Sequence, residues 1–136
     1  MIIDAKNLII GRVAAFAAKQ ALLGEDIVIV NCKYAVMTGK KDRLISEYKR
    51  RLDMGIWSKG PFYYRVASKM VRRIVRGMLP YKQARGRAAF ERVKCYDEIP
   101  ADIKAEKMER IKSAEVSKLP NNFYMPIYKI LELSRK

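Results

Sequence analysis

The chain has 136 residues, half of them hydrophobic and 32% charged, with 29 lysines and arginines against 14 acids and a net charge of +15. That balance describes one folded domain and excludes a disordered segment, with enough apolar material for a core that needs no staples. There is no histidine, which excludes His-based triads and proton shuttles, and no apolar run approaches the roughly 20 residues that cross a bilayer.

In chain order, Met1–Asp4 is a short apolar opening that predicts a buried strand. It carries an early acid and lacks the cationic start of a secretory signal, so a soluble, cytoplasmic protein is expected. Leu8–Leu23, with alanines at 14, 15, 17, 18 and 21, predicts a helix apolar on most sides and therefore sandwiched. Gly24 is its expected terminator. Ile27–Val30 is entirely β-branched and fits a central parallel strand. Ala35–Met37 predicts another strand, closed by Thr38-Gly39. Lys40–Leu52 returns to helical spacing, with Leu44, Ile45, Tyr48 and Leu52 inward.

Met54–Tyr64, MGIWSKGPFYY, is a loop by its glycines and proline yet rich in large rings. Two roles are open for those rings. They stack on unpaired bases, or they form a lid over the next helix with Lys59 alone reaching outward. The lid is the favoured reading.

The charge excess concentrates in Arg65–Lys94, which holds ten cations and a single acid, Glu91. Val66, Met70, Ile74 and Met78 recur every four residues, with Ala67, Val71 and Val75 alongside, and predict a helix with one apolar stripe. Lys69, Arg72, Arg73 and Arg76 leave from its other side. Pro80 stops that helix, and Gly77 is placed for a positive φ or a close backbone approach. Lys82–Lys94 predicts a second helix, with Ala84, Ala88 and Val93 inward and Lys82, Arg85 and Arg92 outward. So sign-pure a face repels itself in the free protein, and a polyanion, nucleic acid above all, is the expected partner.

Cys95–Ile99 predicts one more strand. Ala101–Lys112 reads as a mostly charged helix, Ser113–Pro126 as an extended segment, and Tyr128–Leu133 as an edge strand or helical turn. The alternation of elements predicts an α/β fold with a parallel sheet covered on both faces. Residues 1–100 are expected as the domain, and 101–136 as an extension packing on the domain or on neighbours.

No catalytic constellation emerges. Gly11 and Gly39 stand alone, so neither GxGxxG nor GxxxxGK[ST] is present. Cys32 and Cys95 belong to no CxxC pair and are expected as reduced thiols, with no metal and no cofactor. Asp4, Glu25, Asp26 and Asp53 read as capping or turn residues. Arg12, opening a helix after Gly11, is either a phosphate contact shared with that helix end or a lone surface arginine. Two rival classes remain: an RNA-processing enzyme using an acid such as Asp4 or Asp53, and a scaffold for an acidic protein.

Ile10-Gly11-Arg12, Leu23-Gly24-Glu25, Ile27–Asn31 and Met37-Thr38-Gly39 resemble the first half of the large-subunit ribosomal protein L-thirteen family. Val75-Arg76-Gly77-Met78-Leu79-Pro80, running on to Lys82, Gly86, Ala89 and Arg92, is similar to its signature region. Gly60-Pro61 and Cys95–Pro100 resemble the archaeal and eukaryotic branch. The match spans about residues 1–100, leaves the tail from Asp102 unmatched, and has Tyr81 where many relatives carry histidine.

The resemblance implies a three-layer α/β/α fold around a small, mostly parallel four-stranded sheet. It also implies a place among neighbouring proteins of the large subunit, contact with ribosomal RNA, a part in early assembly, and no small-molecule substrate. By motif position it implies RNA contact at Arg12, Lys40, Lys41, Arg72, Arg73, Arg76, Lys82, Arg85 and Arg87, with Gly77 and Pro80 shaping the corner. Charge patterning adds Lys59, Arg65, Lys69 and Arg92.

Overall fold

The computed structural model describes residues 1–103 and 108–135. Its elements, in chain order, are β1 (Ile2–Asp4), α1 (Ile10–Leu22), β2 (Ile27–Val30), β3 (Val36–Thr38), α2 (Lys41–Leu52) and α3 (Ala67–Gly77). They continue with α4 (Ala84–Glu91), β4 (Val93–Cys95), β5 (Met108–Glu109), β6 (Tyr124–Pro126) and α5 (Ile127–Leu133). Four strands form one parallel sheet in the order β4-β2-β1-β5, as expected of an α/β fold. In register, Ile3 lies beside Ile29, and Ile27 beside Val93. All four are fully buried, so this face of the sheet is the floor of the core.

Helix α1 lies over that core and against α3 and α4. Its buried residues, Ile10, Val13, Ala14, Ala17, Ala18 and Ala21, follow helical spacing along one side. Arg12, Ala15, Lys19 and Leu22 on the other side are exposed. The helix is therefore one-sided, and the expected sandwich does not form. Alanine misleads here because it suits helices wherever it sits, buried or not. Gly24 ends α1 with φ +104°. Its amide bonds the Ala21 carbonyl, and the Glu25 amide bonds that of Gln20, the two bonds of a Schellman cap.

Helix α3 buries Ala67, Val71 and Val75 most deeply. Val66 and Met78, at the ends of the expected stripe, are the flanking cap residues and stay 40% and 43% exposed. No side chain of α3's own caps its start. Asp97, just beyond β4, supplies the missing acceptor at 2.7 Å from the Ser68 amide, where a carboxylate also complements the helix dipole.

The elbow after α3 departs from expectation in a second way. Gly77 is the last residue of α3, has no positive φ, and faces open space. The close approach belongs to Gly86 in α4, where an added Cβ would lie 2.0 Å from the Pro80 carbonyl oxygen. Gly86 and Ala89 are accordingly the buried residues of α4, while Ala84 and Ala88 are exposed. The helix ends at Glu91, and Val93–Cys95 pairs with β2, two residues earlier than the strand anticipated at Cys95–Ile99.

The described residues from Met108 onward pair with and pack on the elements that precede them. Met108–Glu109 pairs with β1, and Lys112–Ala114 is a 3-10 turn, so this part of the expected Ala101–Lys112 helix is not helical. Residues 104–107 of it fall outside those described. The Ile9 amide bonds the Ala114 carbonyl at 2.7 Å. Strand β6 pairs antiparallel with β3, which stands apart from the parallel sheet. The last segment resolves as a helix: α5 buries Ile127, Ile130 and Leu131 in the shared core.

Gly86→Ala is expected to lower stability by about 1–3 kcal/mol, as overpacking does. Gly77→Ala should be neutral or stabilising by up to about 1 kcal/mol. Urea unfolding curves compare the two, and equal midpoints would refute the assignment of the close contact to Gly86.

Candidate nucleic-acid interface

Leu79, 4% exposed, pins the elbow into the core. Around it the backbone bonds itself: the Leu79 amide to Arg76 at 3.1 Å, and the Gln83 amide to Pro80 at 2.9 Å. This turn leaves α4 packed on α1, with its Phe90 ring brought to Arg72 of α3, and so decides which side chains meet.

Lys69, Arg72, Arg73 and Arg76 of α3 line a cleft of about 240 Å³ with Tyr64 and Phe90. A neighbouring cleft is lined by Arg76, Tyr81, Lys82, Arg87, Phe90 and Glu91. Arg76 and Phe90 form the shared wall. The sequence alone marks α4 as a bearer of charge, passes over Phe90, and gives Tyr81 no part in the site. The signal that could have found them is the aromatic within reach of an arginine on the preceding helix.

These arginines are held by rings. The Arg72 guanidinium stands 4.6 Å from the Phe90 centroid, Arg73 4.6 Å from Tyr63 and 5.7 Å from Tyr64, and Arg76 5.0 Å from Tyr81. Arg73 also donates to the Phe62 carbonyl at 3.0 Å. A cation–π contact fixes a guanidinium plane for about 0.5–1 kcal/mol at an exposed site and leaves its charge intact. Among the described residues, ion pairs occur only at Lys33–Glu98, Arg50–Glu47 and Arg51–Glu47. None involves the cleft.

Helix α2 shows the contrasting arrangement. Arg50 bonds Glu47 at 3.0 and 3.1 Å, and Arg51 bonds it at 2.9 Å. Arg50 and then Arg51 hold the Glu47 carboxyl down at about 2. Two of α2's cations are thus answered inside the chain.

Apart from Lys82 and Arg87, which line the neighbouring cleft, the remaining anticipated residues are dispersed. Arg85 is exposed and donates to the Gln83 side chain at 3.1 Å, and Arg87 donates to the Lys82 carbonyl at 3.2 Å. Lys40 and Lys41 are exposed at the start of α2. Arg65 lines a separate cleft with Lys33, Asp97 and Arg135. Arg12 donates to the Ser113 carbonyl at 2.8 Å and so fastens the tail. Arg92 is half-buried and donates to the Ala21 carbonyl at 3.3 Å, at the end of α1, so it faces inward where the helical pattern had turned it out.

The aromatic loop divides. Tyr63 and Tyr64 lie under Arg73, and the Tyr64 carbonyl accepts the Tyr48 hydroxyl, whose pKa burial raises. Trp57 and Phe62 stand largely in solvent, at 90% and 66% exposure. The lid is therefore formed by only half of the rings. Lys59 is exposed in the same turn.

Asp4, the acid of the rival enzyme reading, accepts from the Asn31 side chain at 2.8 Å and from the Lys6 amide at 3.1 Å, tying the ends of β1 and β2 together. Among the described residues no group of acids, cysteines and histidines is placed to hold a metal ion. Nor, among the described residues, is any helix long and apolar enough to cross a membrane.

Fold and face together define a basic α/β protein whose organised feature is a cationic, ring-lined cleft. The chain belongs to the family described as Ribosomal protein L13, whose model matches residues 1–102. The "Large ribosomal subunit protein uL13" of Thermoplasma volcanium is 42% identical over 118 residues, 87% of each chain. That of Methanopyrus kandleri is 38% identical over 133 residues, 96% of this chain and 84% of its own. That of Methanococcoides burtonii is 40% identical over 126 residues, 93% and 91%. The family is structural and non-enzymatic, and the resemblance carried by the signature region holds.

Glu47, with a folded-state pKa below its ordinary value of 4.5, contributes stability that is present above that value and lost as pH falls toward about 2. Being exposed, the cluster contributes little. Thermal midpoints of the native chain and Glu47→Gln should differ slightly near pH 7 and converge near about pH 2. A gap that persists in acid would contradict this.

Proposed function

We propose that this chain is a structural constituent of the large ribosomal subunit, in the cytoplasm, that binds large-subunit ribosomal RNA through α3, the elbow and α4. The observation that supports this most is the cleft of Lys69, Arg72, Arg73 and Arg76, held open by Tyr64 and Phe90 with no carboxylate partner among the described residues. Cations concentrated on one face displace condensed counterions when they meet phosphates, and this release drives binding. Guanidinium forks fit phosphate oxygens in two-pronged fashion, and folded RNA is read mainly by shape and backbone.

Lys82, Arg85 and Arg87 extend the face past the elbow. Lys40, Lys41, Lys59 and Arg65 form its outlying contacts, and Arg12 reaches phosphate only as far as its bond to Ser113 allows. Arg92 drops out, its guanidinium being engaged with α1. By neutralising converging RNA strands, the face lowers the repulsion that opposes their early folding, which is how it supports assembly. Neighbouring large-subunit proteins complete the surroundings.

Replacing Arg72, Arg73 and Arg76 together by Ala should leave the unfolding midpoint almost unchanged and weaken binding to a large-subunit RNA fragment. The slope of log K against log salt should fall by roughly 2–3, at about 0.7–0.9 for each phosphate no longer neutralised. Fluorescence anisotropy across a salt series measures it, and an unaltered slope would remove this face from the interface.

A further inference from the structure

The loop between α2 and α3 puts the largest ring in the chain into water. Trp57 is 90% exposed, and Ile56 and Phe62 of the same loop are 61% and 66% exposed. Such grouping of large apolar side chains on a surface marks a contact. The turn carrying them is constrained. Gly60 and Lys59 amides bond the Ile56 carbonyl at 2.8 and 3.2 Å. Gly55, at φ +88°, packs so closely that an added Cβ would lie 2.0 Å from the Gly60 carbonyl oxygen. Farther along, Arg73 grips the Phe62 carbonyl and Tyr48 grips that of Tyr64. A ring presented on a turn already fixed loses little further freedom on binding.

The surroundings select the occupant. Lys59 stands in the same turn, and Lys49 is exposed near the end of the preceding helix. Arg73, which fastens the loop, also lines the cationic cleft, so the loop continues that face. An exposed ring beside cations suits an unpaired nucleobase, whose π-face stacks whatever its identity while its phosphate meets the cations. We infer that Trp57, supported by Phe62 and Lys59, is a stacking platform for an unpaired base of the RNA that the α3–α4 face holds by its backbone. This rests on the proposed RNA binding and adds to it a preference for single-stranded or looped segments.

The test uses the full chain and two RNA probes of equal length, a hairpin with an unpaired loop and a fully paired duplex. Trp57 is the only tryptophan, so its emission reports the site directly. On binding the hairpin, Trp57 fluorescence should be quenched. Trp57→Ala should weaken hairpin binding about 5- to 150-fold, with duplex affinity and salt slope unchanged. Trp57→Phe should restore part of the loss. Hairpin binding seen by anisotropy with unquenched emission, or equal losses on both probes, overturns the platform while RNA binding stands. Absence of binding to either RNA by the native chain overturns both readings.

Discussion

The geometry of the cationic face depends on one contact: the backbone of α4 at Gly86 lying against the backbone of the elbow at Pro80. Any side chain at that position would occupy the space of the Pro80 carbonyl. Because the two backbones touch, Phe90, one turn farther along α4, comes under Arg72, and Tyr81 in the elbow comes under Arg76. Widening the elbow by the thickness of a methyl group would part guanidinium from ring at both places. A steric rule about one glycine thus becomes an electrostatic property of the surface.

That property is unusual in what it omits. Surface arginines commonly find carboxylates, as Arg50 and Arg51 find Glu47 in α2. Along α3 the answering groups are rings, which orient a guanidinium without cancelling it. The free protein carries the mutual repulsion of these cations, and stability must come from elsewhere: the sheet floor of Ile3, Ile27, Ile29 and Val93, and the buried side of α1. Fixing direction while leaving charge unanswered is the arrangement that favours an external polyanion over an internal partner.

Much of this is legible in the sequence, and the failures have physical causes. Ile27–Val30 and Leu8–Leu23 declare their elements because β-branching and helical spacing are strong local signals. The stripe on α3 is legible with its centre displaced, since residues three and four apart flank the same side and only packing decides which run lies deepest. A glycine three residues before a proline looks like a corner, which favours Gly77 over Gly86 on sequence alone. The contact that matters joins residues six apart through space and leaves no pattern. Strand β5 is two residues long and gains its definition from β1. Of the candidate site, the cations of α3 are evident from sign purity, whereas the inward engagement of Arg92 and the rings under Arg72 and Arg76 require the fold.

The segment after residue 100 shows why the face and the rest of the molecule are hard to separate. Ala114, Met125, Ile127, Ile130 and Leu131 belong to the same core cluster as Val71 and Val75, the buried side of α3. Arg12 and Arg135 hold this segment through the Ser113 and Arg65 carbonyls. A helix whose outer side repels itself needs its inner side well covered, and α5 packs directly against α3. The apolar packing behind α3 and the open charge in front of it are therefore two halves of one balance: burial at Val71 and Val75 supplies the cohesion that unanswered arginines at 72, 73 and 76 withdraw.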